Sequence, residues 1–214
     1  MVKITDNMAN ISVSVLTSGG TGADSSSFNT ASITPSANKL VLACIYVNET
    51  SGTPPTPTLT GNGMTWTNIT SSTLGTVKAA IYRAVSSSPS AGAVTIDFGG
   101  NSQNDCEWII LEWTGLDIRG TNGSSAIVQN ATGTVNGTSL TINLSGFVNA
   151  LNPTFGFVCS RDGPSDLVNP GSGFTEIVNE TSPHNAQAQW KNSNDTSVDW
   201  SFGASLNDCC GIEL

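Results

Sequence analysis

The second half of this chain repeats the first half weakly but in the same order, and this echo constrains the fold more than any other sequence feature. Residues 61–65 resemble 171–175, residues 80–83 resemble 188–191, and residues 98–106 resemble 202–209. The offsets drift from 110 residues through 108 to 104, as loops of unequal length would make them. The pattern predicts a duplicated β unit. Two copies of a scaffold indicate packing and display, whereas a single catalytic centre would leave no echo.

Strand patterns dominate the rest of the chain. Residues 11–15 alternate between polar and apolar, as a half-buried strand does. Residues 40–47 and 106–113 are apolar on both faces, which predicts central strands. Further strands are predicted at 64–69, 77–85, 93–98, 140–144, 154–159, 174–178, 186–191, 197–202 and 209–214. Because the strands are short and evenly spaced and no window keeps a helical period, we predict an all-β antiparallel sandwich, jelly-roll-like, built from two sequence-related repeats.

The predicted organisation is an N-terminal segment with the first strand at 1–30, a first β-repeat at 31–118 and a second β-repeat at 124–214. Turn-forming residues at 117–125 mark the seam between the repeats. The repeats either share one core or form two tandem sandwiches. We favour the single unit, because each repeat has few purely apolar faces and a leftover face would need covering. Residues 1–9 either dock onto a neighbour or fray.

The chain has few charged residues, and most of them are acidic. Charged residues are 11% of the 214, against roughly 25% in an ordinary soluble domain. The net charge of −9 would repel a phosphate backbone, so we expect no nucleic-acid partner. No stretch reaches the roughly 20 apolar residues that span a bilayer, and the N-terminus lacks the pattern of a signal peptide. We therefore expect synthesis in a cytosol, no membrane partner, and a Ser/Thr/Asn-rich surface that suits a particle exterior.

Five cysteines are present, and the odd number argues against a complete disulfide framework. Bridges between Cys44 and Cys106 and between Cys159 and Cys209 are conceivable, one in each repeat. Cytosolic synthesis favours small buried thiols instead. No second ligand pair accompanies the adjacent Cys209 and Cys210, so we predict no metal site and no cofactor.

No residue pattern predicts a catalytic centre. His184, the single histidine, is predicted to be a solvated loop residue. Glu107 and Glu112 lie five apart on one strand, so their side chains should point to opposite faces and cannot form an acid–base pair. A glycan-cleaving enzyme that uses carboxylates from facing strands remains an alternative. Four aspartates near matching loops are read as turn residues rather than calcium ligands: Asp97, Asp105, Asp199 and Asp208.

The five tryptophans are read mainly as packing residues. They are Trp66, Trp108, Trp113, Trp190 and Trp200, and four lie at or near repeat-equivalent strand positions, as core packing between sheets would require. Trp66 and Trp190 are the predicted exceptions, and we assign these two as ligand or interface aromatics.

Several segments resemble β-sandwich modules of tailed-bacteriophage virion proteins. The segments are 35–42, 58–66, 82–100, 126–132 and 210–214. They are turn-and-strand patterns without a catalytic signature. The resemblance implies a non-enzymatic virion structural protein, a capsid decoration (cement) protein above all. The alternative is a tail or head-fibre module that binds carbohydrate or attaches to the host.

The resemblance also implies partners and a location. The partners would be the major capsid protein or other virion proteins, sister subunits in a trimer or dimer, and, for the alternative, a host surface glycan. The protein would be made in the cytoplasm of the host bacterium and would reside in the virion.

Overall fold

The computed structural model describes residues 10–146, 151–162 and 167–213, and the antiparallel all-β sandwich is confirmed. The first half contains β1 (Ser12–Thr21), β2 (Ser27–Asn29), β3 (Leu40–Asn48), β4 (Thr58–Thr60), β5 (Thr67–Leu74), β6 (Val77–Ala84), β7 (Thr95–Asp97) and β8 (Asp105–Thr114). The second half contains β9 (Ala131–Asn143), β10 (Thr154–Ser160), β11 (Val168–Pro170), β12 (Thr175–Glu180), β13 (Asn185–Lys191) and β14 (Ser197–Glu213). A short 3-10 segment, Thr121–Ala126, lies at the predicted seam. Residues 1–9, predicted either to dock onto a neighbour or to fray, lie outside the described residues.

The first half folds into a large sheet and a small sheet. The large sheet has the strand order β1-β8-β3-β6-β5, and the small sheet has the order β2-β7-β4. Every residue of β3 is buried, because this strand is central and covered on both faces. Its continuous apolar sequence is the pattern expected for such a strand. β1 and β2 are integral to these sheets, since β1 pairs with β8 and β2 pairs with β7.

The second half has the same strand order, but two of its strands run through both layers. Residues 131–135 of β9 and 209–213 of β14 begin a large sheet that continues through β10, β13 and β12. Residues 139–143 of β9, residues 197–201 of β14 and β11 form the small layer. In the first half, by contrast, the loop 98–104 separates β7 from β8. The matching order is a property of this fold, whereas descent from one copied unit remains a prediction.

The two large sheets are stacked with their strand orders running in opposite senses. β1 packs over β12 at one side, and β5 packs against β9 and β14 at the other. This is the arrangement that a pseudo-two-fold axis along the strands would produce. Both halves contribute to the apolar layer between the sheets, which we call the inter-sheet core. It includes Leu42, Tyr46 and Leu111 from the first half and Phe157 and Ala188 from the second.

Two further apolar layers lie on the outer faces of the large sheets. In the first half, Phe28, Leu59 and Ile96 of the small sheet cover β3, β6 and β8. In the second half, Leu140 and Trp200 contribute to the equivalent layer. Phe98 and Phe202, the aromatic landmarks of the sequence echo, are buried in these two corresponding layers.

One residue-level alignment drawn from the sequence is wrong. Residues 80–83 and 188–191 do lie in corresponding strands, β6 and β13. However, Ala80 and Tyr82 face the outer layer of the first half, whereas Ala188 and Trp190 face the inter-sheet core. Successive side chains of a strand alternate between faces, so the alignment is displaced by an odd number of residues.

The cysteines pack as buried apolar side chains, and the conceivable bridges are ruled out by direction. Cys44 faces the inter-sheet core and Cys106 faces the outer layer on the opposite side of the same sheet. Cys159 and Cys209 are separated in the same way in the second half. All four are buried, and Cys44 and Cys106 are free thiols. The side chain of Cys210 lies outside the described part of the structure.

Candidate functional site

The two aromatics assigned to ligand or interface contact are both half-buried. Trp66 precedes β5 and packs against the outer layer of the first half. Trp190, at the end of β13, packs against the inter-sheet core, with its ring edge to face with Trp113 at a centroid distance of 5.6 Å. Trp108, Trp113 and Trp200 are buried. Three of the five tryptophans are therefore buried packing residues, and the other two are partly exposed. Contacts of these two with a ligand remain a prediction.

Glu107 and Glu112 do point to opposite faces of β8, as their odd spacing predicts. A side-chain oxygen of Glu112 accepts a hydrogen bond from the backbone N–H of Ser36 at 2.6 Å. Glu107 faces the second half, where its Oε1 accepts the backbone N–H of His184 at 2.6 Å. Gly20 on β1 makes room for this carboxylate, because a Cβ there would lie 2.5 Å from the Cγ of Glu107.

The prediction that His184 is a solvated loop residue is wrong. Its side chain retains only 22% exposure, and its Nε2 lies 3.2 Å from Oδ2 of Asp105. The imidazole also packs against the ring of Tyr46, with a centroid distance of 5.7 Å. The loop between β12 and β13 is short, so His184 stays next to the start of β13, at the end of the inter-sheet core. Sequence alone did not reveal this position, because all of these partners lie in the other half of the chain.

These residues form a polar cluster at one end of the inter-sheet core, consisting of Tyr46, Asn48, Asp105, Glu107 and His184. Oδ2 of Asp105 also accepts a hydrogen bond from Nδ2 of Asn48 at 3.1 Å. Oε2 of Glu107 is buried and has no hydrogen-bond partner among the described residues. The first half supplies four members and the second half supplies His184. The cluster is thus a contact between the halves.

Burial and neighbouring charges shift the protonation equilibria of the cluster. Burial raises the pKa of Glu107 to about 7, and the nearby carboxylates of Asp105 and Glu180 act in the same direction. The hydrogen bond to Asp105 raises the pKa of His184 above its ordinary value, although partial burial opposes this change. Burial also raises the pKa of the Tyr46 hydroxyl, with further contributions from Asp105, Cys159 and Glu107.

The polar cluster brings two acids next to one histidine. In the described part of the chain, no group of three or more His, Cys, Asp or Glu side chains is arranged to hold a metal ion. Asp97, one of the four loop aspartates, accepts the backbone N–H of Gly99 at 2.9 Å, which is a turn contact. Asp105 belongs to the polar cluster instead.

Comparison with family models, with curated proteins and with solved structures found no match for this chain. Within the described residues, no helix has the length and apolar character needed to cross a membrane.

Proposed function

We propose that this chain is a non-enzymatic structural protein of a tailed-bacteriophage virion, and specifically a capsid decoration protein. The observation that carries the proposal is that the ionisable side chains of the polar cluster form contacts within the protein. His184, Asp105 and Glu107 join the two halves of the sandwich at the edge of a buried apolar core. A hydrolytic site would instead present its base and its carboxylates to a substrate.

The surface and the rigidity of the fold support the same role. The chain has few charged residues for its length, so neutral polar groups must form much of the surface. Three stacked apolar layers, one of them shared between the halves, make a stiff body. A decoration protein stabilises a shell by bridging neighbouring subunits, and this needs a rigid body that does not aggregate. The resemblance of its turn-and-strand segments to phage sandwich modules gives the particle context.

The direct test is to add the purified protein to capsids that lack it. We expect saturable binding at hundreds of copies per particle, ordered density on the capsid lattice by electron microscopy, and a higher temperature of capsid disruption. Failure to bind capsids, or absence of the chain from purified particles, would overturn the proposal.

A carbohydrate-binding or host-adhesion module is the second candidate, and the half-buried ring of Trp66 favours it. An aromatic ring held by packing on one side can stack on a sugar with the other. Binding to host polysaccharide that is lost in Trp66→Ala but retained in Trp108→Phe would support this function. A few copies at the tail tip, instead of hundreds on the capsid, would also support it.

A further inference from the structure

The polar cluster contains residues from both halves. Two of its members, Glu107 and His184, change its net charge when each gains or loses one proton. Asp105 and Glu107 lie on the inter-sheet face at the start of β8, where Ile109 and Leu111 continue the same face as apolar core. His184 reaches this face from the other large sheet. The end of the inter-sheet core is therefore closed by two acids and one imidazole.

We propose that the polar cluster is a pH-sensitive latch between the two halves, closed when His184 and Glu107 carry protons and loosened when both have lost them. In the closed form, imidazolium and the Asp105 carboxylate neutralise each other, and Glu107 is uncharged. In the loosened form, two carboxylates face a neutral ring in a site of low polarity. Buried like charges without a counter-charge are strongly unfavourable. Opening this end of the core to water relieves them.

Among the described residues, the other groups that face the latch from neighbouring elements are polar but uncharged, acidic, or exposed. From β3, Tyr46 faces the cluster, where burial above all raises the pKa of its hydroxyl, and from β10, Cys159 lies near Tyr46. Glu180, at the end of β12, adds negative charge near Glu107. After β10, the backbone of Asp162 lies near His184, and the exposed Arg161 reaches Oγ1 of Thr76 at 3.5 Å. Thr76 in turn donates to Oδ1 of Asn48 at 2.9 Å, so this hydrogen bond of Arg161 reaches the cluster through two uncharged side chains.

The sign of the pH dependence follows from the direction of the two pKa shifts. Glu107 holds its proton up to a pKa of about 7 in the fold and releases it near 4.5 when unfolded. The pKa of His184 is raised as well, from 6.5. Both groups bind protons more tightly in the folded state, so their contribution to stability is complete at acidic pH and is lost as pH rises through neutrality. We expect Tm to fall by about 5 °C between pH 5.5 and pH 8.5.

Alkylation of the intact protein, resolved by mass spectrometry, tests for local opening. Cys159 lies in the inter-sheet core near Tyr46, whereas Cys106 is buried on the opposite face of the first sheet and serves as the internal reference. We expect the ratio of the Cys159 to the Cys106 alkylation rate to rise about tenfold between pH 6 and pH 8.5. Because the neighbouring carboxylates also raise the pKa of Cys106, the ratio is taken against Cys44 as well, whose pKa is raised by burial alone.

Matched variants identify the groups responsible. Glu107→Gln cannot ionise, so it should keep the ratio flat across this pH range and reduce the fall in Tm. Asp24→Asn removes one exposed carboxylate and should behave as wild type. His184→Gln should lower Tm at pH 5.5 much more than at pH 8.5. A constant ratio in the wild type, or equal behaviour of Glu107→Gln and Asp24→Asn, would overturn the proposal. The Tm and alkylation measurements on the wild type decide the question even if a variant fails to fold.

Discussion

Trp113 and Phe155 meet edge to face across the two large sheets, with ring centroids 5.8 Å apart and an interplanar angle of 90°. Trp113 belongs to β8 of the first half, and Phe155 belongs to β10 of the second. Such a pair contributes about 0.5–1.5 kcal/mol beyond the apolar area that it buries. This aromatic contact joins the two halves and therefore couples the unfolding of one half to that of the other.

Phe155→Ala should lower the free energy of unfolding by about 3–5 kcal/mol, because it leaves a cavity in the shared core. Guanidinium denaturation followed by tryptophan fluorescence and by far-UV circular dichroism measures this loss. The exposed Val128 offers a control, and Val128→Ala should change stability by no more than about 0.5 kcal/mol. Two separate unfolding transitions in the wild-type protein would contradict the coupling of the halves.

Gly156 should tolerate no side chain. A Cβ at this position on β10 would lie 2.5 Å from Cγ1 of Val198 and 2.7 Å from Cζ2 of Trp200. Gly156→Ala should therefore destabilise the protein by about 1–3 kcal/mol through overpacking. Gly146→Ala is the matched control, since a Cβ there meets nothing within 4 Å. Equal melting temperatures for the two variants would show that the small layer can move away from β10.

Asn122 should be required to fix the seam between the halves. Its Nδ2 donates to the carbonyl of Thr65 at 2.6 Å and to that of Arg83 at 3.1 Å, and its Oδ1 accepts the backbone N–H of Val85 at 2.8 Å. It also adopts a φ of 53°, which Asn accepts more readily than most residues. Asn122→Ala should cost about 2 kcal/mol.

The control for this substitution is Asn130→Ala, at an exposed position a few residues along the chain. Limited proteolysis measures the local effect, and cleavage within 117–126 should accelerate only in Asn122→Ala. Unchanged cleavage would indicate that Gly120 and Gly123 alone define the seam.

Neither tyrosine should ionise in the native protein at pH 10.5. The chain contains two tyrosines, and burial raises the pKa of both Tyr46 and Tyr82. The hydroxyl of Tyr82 donates to the carbonyl of Pro57. Tyrosinate absorbance near 295 nm should therefore appear only when the protein unfolds. Because both pKa values are higher in the fold than in the unfolded chain, stability should decrease as pH rises above about 10. A native spectrum that titrates near pH 10 would contradict this burial.

The sequence predicts most of the longer strands, although residues 131–139 of the thirteen-residue β9 are missed. β3 and β8 were placed as central strands because residues 40–47 and 106–113 are apolar on both faces, and both are central in their sheet. The strands β2, β4 and β11 are missed, since three residues are too few to display an alternation, whereas the equally short β7 lies within the predicted segment 93–98. Residues 197–202 and 209–214 were read as two strands, whereas β14 is continuous from Ser197 to Glu213.

The polar cluster could be predicted only in part. The opposite directions of Glu107 and Glu112 follow from strand geometry alone, which is local. The contact between His184 and Asp105 depends on how the two sheets stack, and nothing within either segment encodes that packing. Trp66 and Trp190 are partly buried and the other three tryptophans are buried, whereas the assignment of these two as ligand or interface aromatics remains a prediction.

The contrast between the loop 98–104 and the uninterrupted β14 has a practical consequence for engineering. In the first half the chain leaves one layer and enters the next through Gly99 and Gly100, where an added side chain would meet nothing within 4 Å. A foreign peptide epitope spliced between these two glycines would hang outside the body of the protein. The same insertion in the corresponding region of β14 would interrupt a hydrogen-bonded strand. The first half should therefore tolerate an inserted peptide much better than the second half.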